Sequence, residues 1–287
     1  MKKYPALAVL LAALFVVPSA WAQEDHPLCG QSINGSTGLF SIPSGRIGWE
    51  RLNGFGLDLG YRAVMNKSGT AHIPAITMSL FKWVEVSSAF DIQPAIKFAG
   101  EEQKNNDLIF GAKLRMPTNV SNPKNPAIAL GVSGQFLNLN NKDYQYNVFQ
   151  PYAAISYGGT FFNMTAETTV VFGKTLLAGG PNNTDFDFGM GFDIILFPDV
   201  LQNTVHWIID FANFDYSHNS WPNNVYAGSG PATYRGIVNT GLRIDLGSFP
   251  ALSEIKLMLD FVFNDLFDYE NRSFTIGAAF GFPILNK

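Results

Sequence analysis

The fold of this chain is decided by residues 254–264, which read Glu-Ile-Lys-Leu-Met-Leu-Asp-Phe-Val-Phe-Asn. Every second residue from Ile255 to Phe263 is large and apolar, whereas the positions between them include Lys256 and Asp260. Side chains alternate between the two faces of a β-strand, while a helix of 3.6 residues per turn would spread both sets around its surface. The stretch is therefore predicted to be a strand with one apolar and one polar face.

The same alternation recurs along the chain from residue 53 onward, for example in residues 186–196 and 238–246. It predicts about twelve strands (roughly ten to fourteen), each near the ~9–11 residues that cross a bilayer at a tilt. They are placed at about 53–63, 72–81, 83–92, 106–116, 126–137, 148–158, 160–173, 185–196, 203–215, 233–247, 253–264 and 272–283. Short connections are expected at Lys82 and at Gly158-Gly159, and longer ones at 118–126, 176–184 and 217–232.

The composition fits strands that face lipid. Charged residues make up 15% of the 287 residues, against about 25% in an average globular domain. Aromatic residues reach 14%, with 25 Phe. The fold class predicted is all-β, an antiparallel transmembrane β-barrel in the bacterial outer membrane. A soluble β-sandwich is the rival fold, but its outward faces should be polar, and the Phe-rich rows contradict this. The net charge of −4 gives no indication of a nucleic-acid partner.

The first residues indicate secretion. Lys2 and Lys3 precede an apolar run over 6–17, and Ala20-Trp21-Ala22 supplies a small-x-small cleavage pattern. Residues 1–22 are predicted to be a signal peptide, since the run is shorter than the ~20 residues of a membrane span. Residues 23–52 then form an N-terminal segment and 53–287 the barrel. The single cysteine, Cys29, excludes an intramolecular disulfide, and the His26-Pro27-Leu28 before it argues against lipidation.

The N-terminal segment is irregular. Residues 31–48 contain four glycines and Pro43, and they are compatible with a strand, a periplasmic strap or a plug that enters the lumen. Arg46 is expected to meet the acidic lumen if the segment enters it.

The rows opposite the apolar ones are predicted to face the lumen, because an Arg or Lys facing lipid near mid-membrane costs ~2–4 kcal/mol. The lumen candidates are Asp58, Arg62, Glu85, Lys113, Arg115, Glu167, Asp193, Asp210, Arg243, Asp245, Lys256 and Asp260. They are interpreted either as ion pairs that brace a narrow barrel or as a pore with a weak cation preference. Five glycines fall on the same inward rows and leave room in a crowded lumen, namely Gly56, Gly60, Gly111, Gly131 and Gly241.

Several aromatic residues are predicted to form girdles at the membrane interfaces, with ligand contact as the alternative. They are Tyr61, Trp83, Tyr152, Tyr157 and Trp207.

Little in the sequence points to catalysis. The four histidines show no metal-ligand spacing, so no metal, cofactor or catalytic residue is predicted, and the chain is not expected to be an enzyme. An envelope-lipid-modifying barrel enzyme is an alternative, because His206 precedes Asp210 by four residues on one face, and Ser217 and Ser220 flank His218.

Two stretches resemble known sequences. Residues 275–282 resemble the C-terminal signal that outer-membrane barrels present to their assembly machinery, carried here by Thr275, Gly277, Phe280 and Phe282. Residues 37–46, Thr-Gly-Leu-Phe-Ser-Ile-Pro-Ser-Gly-Arg, followed by Gly60-Tyr61-Arg62 and by residues 80–86, resemble the opening of the YjbH-like family of outer-membrane proteins. Lys82 and Gly45 depart from that family's pattern, which has Pro and Ala there.

The YjbH-like resemblance implies a role in exopolysaccharide production or export, with polysaccharide or export partners. The other partners expected are outer-membrane lipid and the barrel assembly machinery. A small-solute channel is the alternative function.

Overall fold

A computed structural model of the protein describes residues 30–50, 54–67, 69–94, 96–98, 101–103, 105–117, 125–139, 147–178, 186–213, 236–249, 252, 255–267 and 272–285. The predicted signal peptide lies outside these residues.

Strands dominate the described residues. They are β1 (Phe55–Asn66), β2 (Gly69–Leu80), β3 (Val84–Ile92), β4 (Ile96–Phe98), β5 (Glu101–Gln103), β6 (Asn105–Arg115), β7 (Ala127–Leu139), β8 (Asn147–Phe161), β9 (Met164–Gly173), β10 (Leu176–Ala178), β11 (Asp187–Ile195), β12 (Val205–Ala212), β13 (Ile237–Asp245), β14 (Lys256–Asn264) and β15 (Ser273–Leu285). A short helix, α1, spans Pro198–Leu201, and a 3₁₀ turn spans Leu246–Ser248. Among the helices of the described residues, none is long and apolar enough to cross a membrane.

Within the described chain, twelve of these strands pair antiparallel with their neighbours and close into a barrel. The ring is closed on one side by β1 against β15, where Leu59 lies opposite Phe280, and on the other by β8 against β9. The short β10 continues the course of β9 along β8, and β4 and β5 form a separate hairpin. The predicted twelve-stranded antiparallel barrel is therefore confirmed.

The two faces of the barrel wall separate as the sequence alternation predicts. In β14, Asp260 is 4% exposed while Phe263 is 56% exposed. In β15, Thr275 is buried and Ile276 and Phe280 are exposed. A closed ring of paired strands satisfies its backbone groups without water, and an apolar outer face is what lipid requires.

The two ends of the barrel are distinguished by where the first strand begins and the last strand ends. At one end, here named the terminal rim, β1 begins at Phe55 and β15 ends at Leu285; the opposite end is the far rim. The alternating strand directions place the 116–126 connection at the terminal rim, and the 174–186 and 213–236 connections at the far rim. The predicted long connections thus do not all lie at one end.

One turn differs from its predicted position. β8 continues through Gly158 and Gly159 and ends at Phe161, so the turn falls at Phe162-Asn163. These residues have φ values of 47° and 63°, and Phe81-Lys82, a turn placed correctly from the sequence, has 50° and 67°. A type I′ turn, whose twist matches that of the flanking strands, has positive φ at both central residues. Neither turn contains the glycine that usually marks such a position.

Tyr152 does not belong to an interfacial girdle. It is 7% exposed and faces the lumen from β8, in the row of Gln150 and Ala154. Its ring lies over Gly131 of β7, where a Cβ atom would come within 2.3 Å of the ring carbon Cζ. The inward glycine therefore provides the space that an inward Tyr152 needs.

Candidate functional site

Residues 30–50 lie inside the barrel and are named here the lumenal segment. Each of its residues is buried except Trp49, which is half-buried. The segment folds on itself through bridges between Gln31 and Thr37 and between Gly38 and Pro43. It forms neither a strand of the wall nor a strap outside it.

One side of the lumenal segment is apolar. Ile33, Leu39, Phe40 and Ile42 belong to one hydrophobic cluster with inward side chains of the wall, among them Ile73, Tyr152 and Val262. Burial of side chains of this size stabilises by roughly 1.5–3 kcal/mol each. The segment is thus part of the barrel's core.

Inward glycines of the wall make room for the lumenal segment. A Cβ atom at Gly60 would lie 1.8 Å from the side-chain oxygen of Gln31, and one at Gly56 would lie 2.2 Å from the indole of Trp49. Larger residues at these two positions would collide with the segment as it is seated.

Acidic side chains of the wall accept hydrogen bonds from the lumenal segment. The Glu85 carboxylate accepts from the main-chain nitrogen of Thr37 at 2.8 Å, from its hydroxyl at 2.5 Å and from the nitrogen of Gly48 at 3.1 Å. Asp210 accepts from the nitrogen and the hydroxyl of Ser41, at 2.7 and 2.9 Å. Ser156 accepts from the nitrogen of Gly45 at 2.9 Å.

Basic side chains of the wall donate to carbonyl oxygens of the same segment. Lys113 donates to Thr37 at 2.9 Å, and Arg243 donates to Gly38 at 3.2 Å. Arg62 donates to the carbonyl of Gln31, and Lys256 to that of Gly48. Wall charges of both signs therefore satisfy main-chain groups that water would otherwise have to bind.

Wall charges also pair with one another. Arg243 and Asp260 are 2.8 Å apart, Lys113 and Glu85 3.1 Å, Arg62 and Asp260 3.5 Å, and Lys256 and Asp58 3.6 Å. A buried ion pair contributes little net stability, but removal of one partner leaves a costly unpaired charge.

The lumenal segment carries one charge pair of its own. Arg46 contacts Glu50 within the segment at 3.3 Å and Glu167 on β9. Glu50 in turn lies 3.1 Å from Arg115 on β6. These four side chains join the segment to two strands of the wall.

The lumen candidates are mostly buried inside the barrel. Those fully buried are Asp58, Arg62, Glu85, Lys113, Arg115, Glu167, Asp193, Asp210, Arg243 and Asp260. Lys256 is half-buried at the terminal rim, beneath the ring of Trp49 at 4.5 Å. Asp245 is also half-buried, and it caps the 3₁₀ turn by accepting from the nitrogen of Gly247 at 2.9 Å. Their part in a function remains a prediction.

Apart from Arg46, which was expected to meet the acidic lumen, the segment's own contributors were not predicted from the sequence. Thr37 and Ser41 supply hydroxyls to wall carboxylates, Glu50 meets Arg115, and the Trp49 indole donates to Asp58 at 2.8 Å. The available signal was the set of glycines on the inward rows of β1, which fit an object inside the lumen.

His206 has a different acidic partner from the one suggested by its sequence spacing. Its Nδ1 lies 2.7 Å from Asp193 and its Nε2 lies 3.0 Å from the carbonyl of Asn203, while Asp210 binds Ser41. Both ring nitrogens are therefore engaged, and neither is available to activate a serine. Ser217, His218 and Ser220 lie outside the described residues. No group of metal-ligating side chains occurs in the described ranges.

Among the described residues, one of the spaces between segment and wall is a small cavity. A cavity lined by Leu39, Ser44, Glu167 and Asp193, among others, has room for about one water molecule. At the depth of these lining residues, the lumenal segment fills the lumen.

The closed ring of strands with an apolar exterior and a polar, occupied interior is a bacterial outer-membrane β-barrel. The predicted location in the outer membrane is confirmed.

Comparison with known proteins yields structural neighbours of the same broad kind. A KdgM porin is 9% identical, with 79% of this chain and 99% of that chain covered and a TM-score of 0.47. The Acinetobacter baumannii outer membrane protein Omp33 is 12% identical, with 82% and 100% covered and a TM-score of 0.40. Pseudomonas aeruginosa OprD is 9% identical, with 83% and 98% covered and a TM-score of 0.32.

No protein-family model matches the chain, and no curated protein matches it. The resemblance to the YjbH-like family therefore stays a prediction.

Proposed function

We propose that this protein is an outer-membrane channel for small polar solutes, closed in the present state by the lumenal segment. The observation that supports this proposal is the type of contact between segment and wall. Charged wall groups hold the segment through hydrogen bonds to its main chain, and water or a polar solute can replace such bonds.

The wall itself is suited to a polar path. Its inward rows carry charges that are paired across neighbouring strands, as in Lys113–Glu85 and Arg243–Asp260. Twelve strands also enclose more space than the eight that side chains alone fill. Removal of the segment would thus leave a lumen lined by hydrated ion pairs beside the inward apolar side chains of the core cluster.

The test is ion conduction through planar lipid bilayers by the full chain and by a variant that lacks residues 30–50. The full chain is expected to be nearly silent and the deletion variant to conduct steadily. Folding of each is checked by its heat-modifiable migration in gels. A folded deletion variant without conduction would contradict the proposal.

The exopolysaccharide role rests on the sequence resemblance alone. Residues of the stretch that carries it have a structural task here: Thr37 binds Glu85 and Arg46 binds Glu167. If proteins with this motif all hold such a segment inside their barrel, that packing would account for the motif residues without any role for polysaccharide. Unchanged exopolysaccharide output after deletion of the gene would remove that role.

A further inference from the structure

The wall recognises the main chain of the lumenal segment at many points. It accepts from the nitrogens of Thr37, Ser41, Gly45 and Gly48 and donates to the oxygens of Gln31, Gly35, Thr37, Gly38 and Gly48. Main-chain groups are common to every peptide, so contacts of this kind give affinity without demanding one sequence.

Two wall carboxylates take a main-chain nitrogen and a hydroxyl of the same residue. Glu85 does so with Thr37 and Asp210 with Ser41. This arrangement fits a peptide unit that carries a small hydroxyl side chain. Gly60 and Gly56 leave room beside them for larger side chains, here those of Gln31 and Trp49.

Several wall groups that bind the segment also have partners within the wall. Glu85 is held by Lys113, Asp210 receives a hydrogen bond from Asn239 at 2.8 Å, and Arg243 is held by Asp260. These partners all belong to the wall. The groups that bind the segment's main chain would therefore remain in position when the segment leaves, which is the requirement for a preorganised site.

From these contacts we infer that the lumenal wall is a peptide-binding site, and that the open channel admits short peptides, with a hydroxyl side chain favoured opposite Glu85 and Asp210. The lumenal segment is the resident occupant of this site. The inference rests on the proposed channel function and adds the class of solute to it.

The experiment uses the full chain with a protease site placed at residues 51–53. The protein is folded with its segment, cleaved, and washed in mild denaturant to release residues 30–50. Ion current is then measured before and after addition of three probes. These are a synthetic peptide of residues 30–50, a peptide of the same length with an unrelated order of Gly, Ser and Thr, and a neutral oligosaccharide of similar mass.

Both peptides are expected to reduce the current, and the oligosaccharide to leave it nearly unchanged. Block by the native peptide alone would mean that the site binds only the sequence of residues 30–50, and this would overturn the inference. Equal block by the oligosaccharide would overturn it as well. Absence of any current from the emptied barrel would instead count against the proposed channel function.

Variants test the residues that carry the inference. Glu85→Gln and Asp210→Asn are expected to weaken block by the unrelated peptide, whereas Asp199→Asn, an exposed change on α1, should not. Direct exchange of fluorescent peptide onto the cleaved, still folded barrel gives a second measurement that needs no current. Failure of the unrelated peptide to bind there would also overturn the inference.

Discussion

Asp210 on β12 and Ser41 in the lumenal segment, 169 residues apart in the chain, are joined by two hydrogen bonds. The carboxylate accepts from the nitrogen of Ser41 at 2.7 Å and from its hydroxyl at 2.9 Å. This contact ties the segment to a strand far from the point where the chain enters β1. It is therefore a direct place to weaken the closed state.

Asp210→Asn should destabilise the seated segment by about 1–3 kcal/mol, because a buried carboxylate that accepts from Ser41 and Asn239 is replaced by an amide that presents a donor of its own. The expected readouts are a lower urea midpoint and more frequent openings in bilayers. Ser41→Ala, which removes only the hydroxyl, serves as the milder variant. An effect of Ser41→Ala larger than that of Asp210→Asn would contradict the stated role of the carboxylate.

Arg46→Met should cost roughly 3–5 kcal/mol of stability, since Glu167 and Glu50 would remain buried without their shared cation. Addition of Glu167→Gln should recover part of this loss. The measurement is a double-mutant cycle in urea unfolding. Simple additivity of the two changes would show that the pair is not coupled.

The outward side chains of β14 should face lipid. In a Cys29→Ser background, cysteines that replace Phe261 and Phe263 are expected to resist a membrane-impermeant thiol reagent in intact membranes. An Asp260→Cys variant should also resist it as long as the lumenal segment is seated, and should react once residues 30–50 are removed. Strong reaction at Phe263 in the intact barrel would overturn the assignment of the faces.

The closing strand should be critical for assembly. Phe280→Ala combined with Phe282→Ala is expected to lower the folded fraction in outer-membrane preparations, because β15 must pair with β1 to remove both open edges of the sheet. Phe172→Ala combined with Phe211→Ala removes two exposed aromatic rings from other strands and is the matched control. Phe40→Ala is unsuitable as a control because Phe40 is buried in the core cluster. If the two double variants lose the same folded fraction, Phe280 and Phe282 contribute only as apolar side chains that face lipid and have no special role in assembly.

The emptied lumen should prefer cations. Among the buried charged side chains of the described strands, carboxylates outnumber basic groups. A negative wall favours passage of cations. The check is the reversal potential of the cleaved barrel in a potassium chloride gradient. A potential with the sign of anion flow would exclude this preference.

The strands could be predicted because the alternation of apolar and polar residues is local. The sequence of β13 or of β14 alone defines the two faces of that strand. The turn at Phe162-Asn163 was missed because its one signal for a positive φ, Asn163, is weaker than the misleading signal of Gly158-Gly159. Tyr152 was misassigned because its direction depends on Gly131 of the neighbouring strand. The segment's contacts with the wall join residues from 9 positions apart, as in Trp49 and Asp58, to 212, as in Gln31 and Arg243. Such pairings leave no periodic signature.

The lumenal segment precedes β1 in the chain, and this order has a consequence for biogenesis. Translocation proceeds from the N-terminus, so the segment emerges before any of the strands that surround it. The segment is therefore available to the wall charges while the ring is still open, so insertion need not enclose an empty charged space. In a circular permutant that carries residues 30–50 after β15, the strands of the barrel would be made before the segment that fills it.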